Sequence, residues 1–219
     1  MDRLEPGECR DREIVGKDAE QRIAEAVREE EDVRGLWLSG AEIRLDTLHS
    51  LTFGGCRFRN CRFTGTADGK LALVETTLED CDLSNADLSS ALLRRVDFRR
   101  CRATGLLLAR ALANRVRMED CVCRYLNLSA SDWKSAIFQD CDLSGASIRE
   151  TRLKKVAFTN CNLTGAELFH TSLEGIDLTS DNIEGLLLAG GELRGAVVTP
   201  YQACELARLL GVVIRNPAE

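Results

Sequence analysis

Thiols carry the most chemistry this sequence has to offer: they attack electrophiles, ligate soft metals and pair as disulfides. The 219-residue chain holds ten cysteines. Six of them, Cys61, Cys81, Cys101, Cys121, Cys141 and Cys161, stand one every twenty residues. Zinc needs ligands that converge tetrahedrally, usually from paired CxxC turns. A twenty-residue interval supplies no such pair, and Cys121 with Cys123 makes only a lone CxC. Cysteine is also a small hydrophobe that is often fully buried, and packing is the role expected of it here. His49 and His170 belong to no catalytic or metal motif, and there is no phosphate-cradling glycine loop or G-x-S-x-G elbow. The residues therefore assign no catalytic group, no metal ligand and no cofactor.

The interval itself asks what element could place those cysteines. In EDCDLSNADLSSALLRRVDFRRC, residues 79–101, Leu83, Leu88, Leu93 and Phe98 fall every five residues. Neither a helix, with 3.6 residues per turn, nor a strand, with alternation every two, counts in fives. The step of five runs from Leu38 to Val198, and Asp68 is its one polar member. The residue two before each step is mostly small or apolar, as at Cys81, Ala86, Ala91 and Val96. Two inward residues around one outward residue make a very short extended segment. Two more residues turn the chain, and Gly65, Gly105, Gly145, Gly165 and Gly185 recur at one such turn, where a positive φ suits glycine. Four segments close a coil of twenty residues, so residues twenty apart stack. With coils about 4.8 Å apart, about eight coils make a rod roughly 40 Å long. Only 5% of residues are aromatic, which fits a narrow interior.

Two stretches strain the pattern: Asp68 takes an apolar position, and residues 106–121 have apolar spacings that a helix could also use. Both cysteine intervals that span them keep to twenty, which predicts a continuous coil, distorted at Asp68. Residues 1–35 precede the repeat and contain a predicted helix from Asp18 to Asp32, with Ile23 and Val27 on one face, placed to cap the first coil. After the repeat at 36–200, residues 201–219 are predicted as a helix and a final strand. Thr199, Pro200 and Gln202 form a capping-box start; Ala203, Leu206, Ala207 and Leu210 make the apolar stripe, and Gly211 the stop. Val212, Val213 and Ile214 are read as the strand. The N-terminus lacks the apolar core of a signal peptide, and no run reaches the ~18 apolar residues of a membrane span, so the expected setting is cytoplasmic with reduced thiols.

CDLSNADLSSA, CDLSGASI and CNLTGAELFHTSLEGIDL resemble the A(D/N)LxX repeat of the pentapeptide-repeat family, over roughly residues 36–200. The resemblance implies an all-β, right-handed quadrilateral β-helix solenoid, here with a short N-terminal helix and a C-terminal capping or dimerisation helix. It is specific for fold and unspecific for function. In the topoisomerase-protecting branch a similar C-terminal helix joins two rods end to end. That implies a homodimer here through Tyr201, Leu206, Leu209, Leu210 and Val213. Relatives that confer resistance to quinolones and other topoisomerase poisons imitate duplex DNA and present acidic surfaces to DNA gyrase and topoisomerase IV.

Charge bears on that expectation. The net charge of −6 does not suit a nucleic-acid binder, and no direct nucleic-acid or membrane contact is expected. Duplex DNA carries a charge about every 1.7 Å, so a good mimic should be strongly acidic. Residues 36–200 hold 21 acidic and 20 basic side chains; the acidic excess lies in residues 1–35, with 12 against 7. A local acidic patch is left to carry mimicry, and its candidates are Asp80, Asp82, Asp97, Glu119, Asp120, Asp140 and Asp142. The flanks of the cysteines change sign from coil to coil, Asp80 and Asp82 being followed by Arg100 and Arg102, as a salt ladder that keeps register would require. A different face carries Arg94, Arg95, Arg115, Lys134, Arg152, Lys154 and Lys155, broken by Asp132. Two functions follow: a non-enzymatic protein that binds and protects a type II topoisomerase, or a scaffold or regulatory binding protein with another cytoplasmic partner.

Overall fold

A computed structural model of the chain describes residues 13–48, 50–67, 71–209 and 211–215. Within them the chain winds at the interval the cysteines mark. Phe53, Leu73, Leu93, Ala113, Trp133 and Leu153 are register partners in successive parallel strands, the first face. Phe58, Leu78, Phe98, Met118, Phe138 and Phe158 make the second face. The third runs through residues 42–44 and 62–64 and continues as bridges at Asp82, Arg102, Val122, Asp142, Asn162 and Asn182. The fourth has bridges at Asp87, Leu107, Asn127, Ser147 and Glu167. Four faces for each twenty residues define a parallel β-helix.

The period of five is a period of burial. Leu83, Leu88, Leu93 and Phe98 are at most 1% exposed, and the residues two before them, Cys81, Ala86, Ala91 and Val96, equally so. Coils satisfy one another's backbone amides and carbonyls, as so thin a core requires. The Arg102 amide donates to the Cys81 carbonyl (2.9 Å), and the Ala103 amide to the Val122 carbonyl (2.7 Å). The few aromatics cluster: Phe53, Phe58 and Phe63 meet edge-to-face at 5.1 and 5.3 Å, and Phe138 stacks on Phe158 at 5.2 Å. Trp133 is fully buried, and its indole N–H donates to the Ser131 hydroxyl (2.9 Å).

The corners are more permissive than the glycine spacing suggests. Among the described residues twenty besides glycine have positive φ, and each sits at a position divisible by five. Asn60, Asp80, Arg100, Asp120, Asp140 and Asn160 fill one corner with φ between 50° and 54°. A left-handed L-residue costs about 1 kcal/mol or more, and the inter-coil hydrogen bonds on either side hold it there. Residues 106–121 wind with the rest: Leu107 bridges Asp87 and Asn127, and Leu112–Glu119 is a strand. Asp68 lies outside the described residues.

Both ends are covered. Helix α1, Lys17–Glu29, is three residues shorter at its C-terminus than predicted, because Glu30 takes a left-handed cap. It buries Ala19, Ile23 and Ala26 on the first coil, while Glu20 accepts the Glu42 amide (3.0 Å). The segment Ile14–Val15 adds a parallel pairing to Leu38–Ser39. Helix α2, Pro200–Leu209, begins with the predicted reciprocal cap: the Gln202 amide donates to Thr199 Oγ1 (3.2 Å), and the Thr199 amide to Gln202 Oε1 (2.8 Å). Gln202 Nε2 also donates to the Leu178 and Asp181 carbonyls (2.7 and 2.9 Å), closing the last coil. The final strand expected at Val212–Ile214 does not form; after the turn at Gly211 the described residues run on exposed and unpaired with any strand. The turn at Gly211 folds the chain back on α2, and the Val212 amide donates to the Ala207 carbonyl (3.1 Å) instead of to a strand.

Candidate functional site

The cysteine column is built as core. Cys61, Cys81, Cys101, Cys121, Cys141 and Cys161 are 1–2% exposed, and the nine described cysteines are all free. Cys101 Sγ donates to the Leu78 and Arg99 carbonyls (3.5 and 3.4 Å). At the equivalent place on another corner, the Thr76 hydroxyl donates to the Phe53 and Val74 carbonyls (3.1 and 3.0 Å). These corners thus offer two carbonyls to a small donor, a place that Cys and Thr both fill. Asp181 takes the next place in the column, 7% exposed, and accepts the Cys161 amide (2.7 Å); burial raises its pKa. Among the described residues no cluster of three His, Cys, Asp or Glu side chains could hold a metal. His170 is exposed at a corner, and His49 lies outside the described residues.

Outside that column the charge is ordered by the register. Arg100 Nε lies 2.8 Å from Asp80 and its Nη2 2.6 Å from Glu79, whose other oxygen meets Arg57 at 2.8 Å. Hydrogen bonds from Arg57 and Arg100 hold the Glu79 pKa down to about 2. Arg102 pairs with Asp82 (3.2 Å), and Arg124 with Asp142 (2.5 Å). Burial pushes the Asp82 and Asp142 carboxyls up, but hydrogen bonds from Ser84 and Ser144 and the nearby arginines leave both pKa values lowered. Asp97 is buried at 3% exposure and held by Arg99 at 2.7 Å.

The seven acidic candidates therefore separate. Asp80, Asp82, Asp97 and Asp142 are bound to arginines. Glu119 is half-buried on the second face. Asp120 and Asp140, one above the other at a single corner, are exposed and meet no cation among the described residues. Asp140 accepts amide N–H groups from Gln139 (3.0 Å) and Asn160 (3.2 Å) instead. Sequence spacing placed these acids on one edge but could not say which were neutralised, because that depends on which arginine side chain reaches which carboxylate.

The C-terminal candidates also divide. Tyr201, Leu209 and Val213 are 74%, 46% and 79% exposed, whereas Leu206, at 6%, packs on its own last coil. Leu210 lies outside the described residues. Tyr125, which the sequence did not single out, is 67% exposed, its ring lying over Gly145 of the next coil. Its signal was an aromatic at a corner position flanked, twenty residues to each side, by glycine.

A stacked rod with a largely apolar core and most of its charged side chains turned outward is the form of a solenoid. A family model for the pentapeptide repeat region matches residues 51–128, and one for eight copies of the pentapeptide repeat matches 117–154 and 147–180. Together they span more than half of the sequence, and the chain belongs to the pentapeptide-repeat family. Proteins of this family are generally structural or interaction proteins. No curated protein matches the chain. Among solved structures, a trypsin-treated form of QnrB1, a plasmid-mediated fluoroquinolone resistance protein, is 20% identical, with 85% of this chain and 90% of that one covered and a TM-score of 0.41. HetL, involved in heterocyst differentiation regulation in the cyanobacterium Nostoc, is 20% identical, with 76% and 89% covered and a TM-score of 0.23. No described helix is long and apolar enough to cross a membrane.

Proposed function

We propose that this protein is a non-enzymatic binding rod whose partner is a type II DNA topoisomerase, DNA gyrase or topoisomerase IV. The reading is carried by one observation: Asp120 and Asp140 stand one coil apart at a single corner, facing solvent without a cation among the described residues. Stacked carboxylates about 4.8 Å apart can stand in for a short stretch of phosphate backbone. The contact would protect the enzyme from poisons that trap it on DNA. The test is gyrase supercoiling with and without a quinolone or peptide poison, beside pull-down of each gyrase subunit. Protection that is lost on Asp120→Lys/Asp140→Lys supports the reading. No protection, no inhibition and no capture of either subunit would end it.

A second reading, a scaffold or regulatory protein for another partner, is favoured by the arginines that neutralise Asp80, Asp82, Asp97 and Asp142. Failure in the gyrase assays would leave that reading standing. In either case we propose that two rods join through α2 and the segment that follows it, where Tyr201, Leu209 and Val213 present apolar surface near a groove of about 240 Å³ lined by Leu193, Val198 and Leu206. Light scattering should return the mass of two chains, falling to one in Tyr201→Ser/Val213→Ser. A single-chain mass for the unaltered protein would rule the dimer out.

A further inference from the structure

The first face has the opposite character to the Asp120 corner. Its register stacks Ala72, Leu92 and Leu112 in one outward column, followed by Asp132 and Arg152. Across the strand the matching column is Val74, Arg94, Asn114, Lys134 and Lys154. The corner beyond adds Arg95, Arg115 and Lys155, each in the left-handed conformation that turns its side chain out of the coil. Arg95 is held by Glu75, and Arg152 lies 3.8 Å from Asp132. Arg94, Arg115, Lys134, Lys154 and Lys155 are exposed and have no ion-pair partner among the described residues. This face is thus a cationic field on a protein of net charge −6. Beside it, Leu92 and Leu112 are 43% and 57% exposed, directly above one another.

We propose that this face binds an acidic peptide segment of a partner protein, one that carries aliphatic side chains among its carboxylates. Charge complementarity selects the acid: from Arg94 to Lys154 is three coils, about 14 Å, the span of about four residues of extended peptide. The leucine pair selects the aliphatic component, because exposed apolar side chains next to unpaired cations gain nothing from phosphate. A nucleic acid would also want a stacking platform, and the exposed tyrosines, Tyr125 and Tyr201, lie off this face. The site is separate from the Asp120–Asp140 corner, so the rod can hold an acidic segment on one face while its acidic edge meets a different surface.

The probe is a fluorescein-labelled peptide of alternating glutamate and leucine, titrated with the full chain by anisotropy at low and moderate salt. An alternating glutamate–serine peptide, a single-stranded oligonucleotide and vesicles containing phosphatidylserine serve as comparisons. The glutamate–leucine peptide should bind more tightly than the other three, and salt should weaken it. Lys134→Glu/Lys154→Glu and Leu92→Ser/Leu112→Ser should each reduce its affinity by about tenfold or more. Both pairs are surface changes, and an unchanged melting temperature verifies their fold. Asp120→Lys/Asp140→Lys should not weaken the peptide, which keeps this result apart from the topoisomerase assays. Tighter binding of the oligonucleotide or the vesicles, equal binding of the two peptides, or indifference to the Lys134/Lys154 reversal would overturn the proposal.

Discussion

At the scale of residues, the corners decide what this rod tolerates. Gly145 has φ +64°, and a Cβ there would come within 2.7 Å of the Tyr125 ring. Gly165 has φ +65° but open space around it. Gly165→Ala should therefore cost about 1 kcal/mol of backbone strain, and Gly145→Ala a further ~1–2 kcal/mol for displacing the ring. Thermal melting of the two variants would rank them, and Tyr125→Ala should recover the difference in a Gly145→Ala background. Glu79 gives a pH prediction. Its carboxyl is held from an ordinary 4.5 down to about 2 by Arg57 and Arg100, so its stabilisation is full above the unfolded value. It is lost as pH falls through the folded value. The stability gap between the unaltered protein and Glu79→Gln, measured by urea unfolding, should be largest above pH ~5 and close toward pH ~2. A gap that is flat with pH would show that the two arginines do not hold Glu79 in this way.

At the scale of elements, the ends show how much the sequence made legible. The reciprocal cap of Thr199 and Gln202 was readable because it is written in four consecutive residues. The additional bonds from Gln202 to Leu178 and Asp181 were not, since they cross more than twenty residues of sequence. Gln202→Leu should consequently cost more than an ordinary cap, about 2–3 kcal/mol, by leaving two buried carbonyls without donors. Hydrogen exchange should localise the loss to the last coil and α2. The repeat segments were legible for the same reason as the cap: burial every fifth residue is local. The strand expected at Val212–Ile214 was read from apolar β-branched residues alone, with no edge identified to receive it. The differences among the acidic candidates were hidden in the sequence for a related reason. Asp97 looks like any outward acid in sequence. Its place between Thr77 and Arg117 on the adjacent coils shuts it from solvent, while Arg99, two residues on along the same strand, pairs with it. The cationic face was visible as a list of residues, but its leucine pair became meaningful only when Leu92 and Leu112 proved to be neighbours.

At the scale of the whole molecule, the rod is a stack in which each coil depends on its neighbours, so loss of one coil in the middle should divide it. Its two unlike long surfaces, an acidic corner and a cationic face, come from one period of five carrying different outward residues on each side. The twenty-residue register has a kinetic consequence as well. Leu73 meets Leu93, and Leu93 meets Ala113, always across the same short loop of chain. For 219 residues this sets a relative contact order of about 0.1, in the range of helical bundles rather than of β-sandwiches. Stopped-flow refolding should accordingly be faster than that of a β-sandwich of similar length, apart from any phase set by proline isomerisation. The search for distant partners that delays most sheet proteins should be shortened here, because a strand that has just formed is already the template for the next.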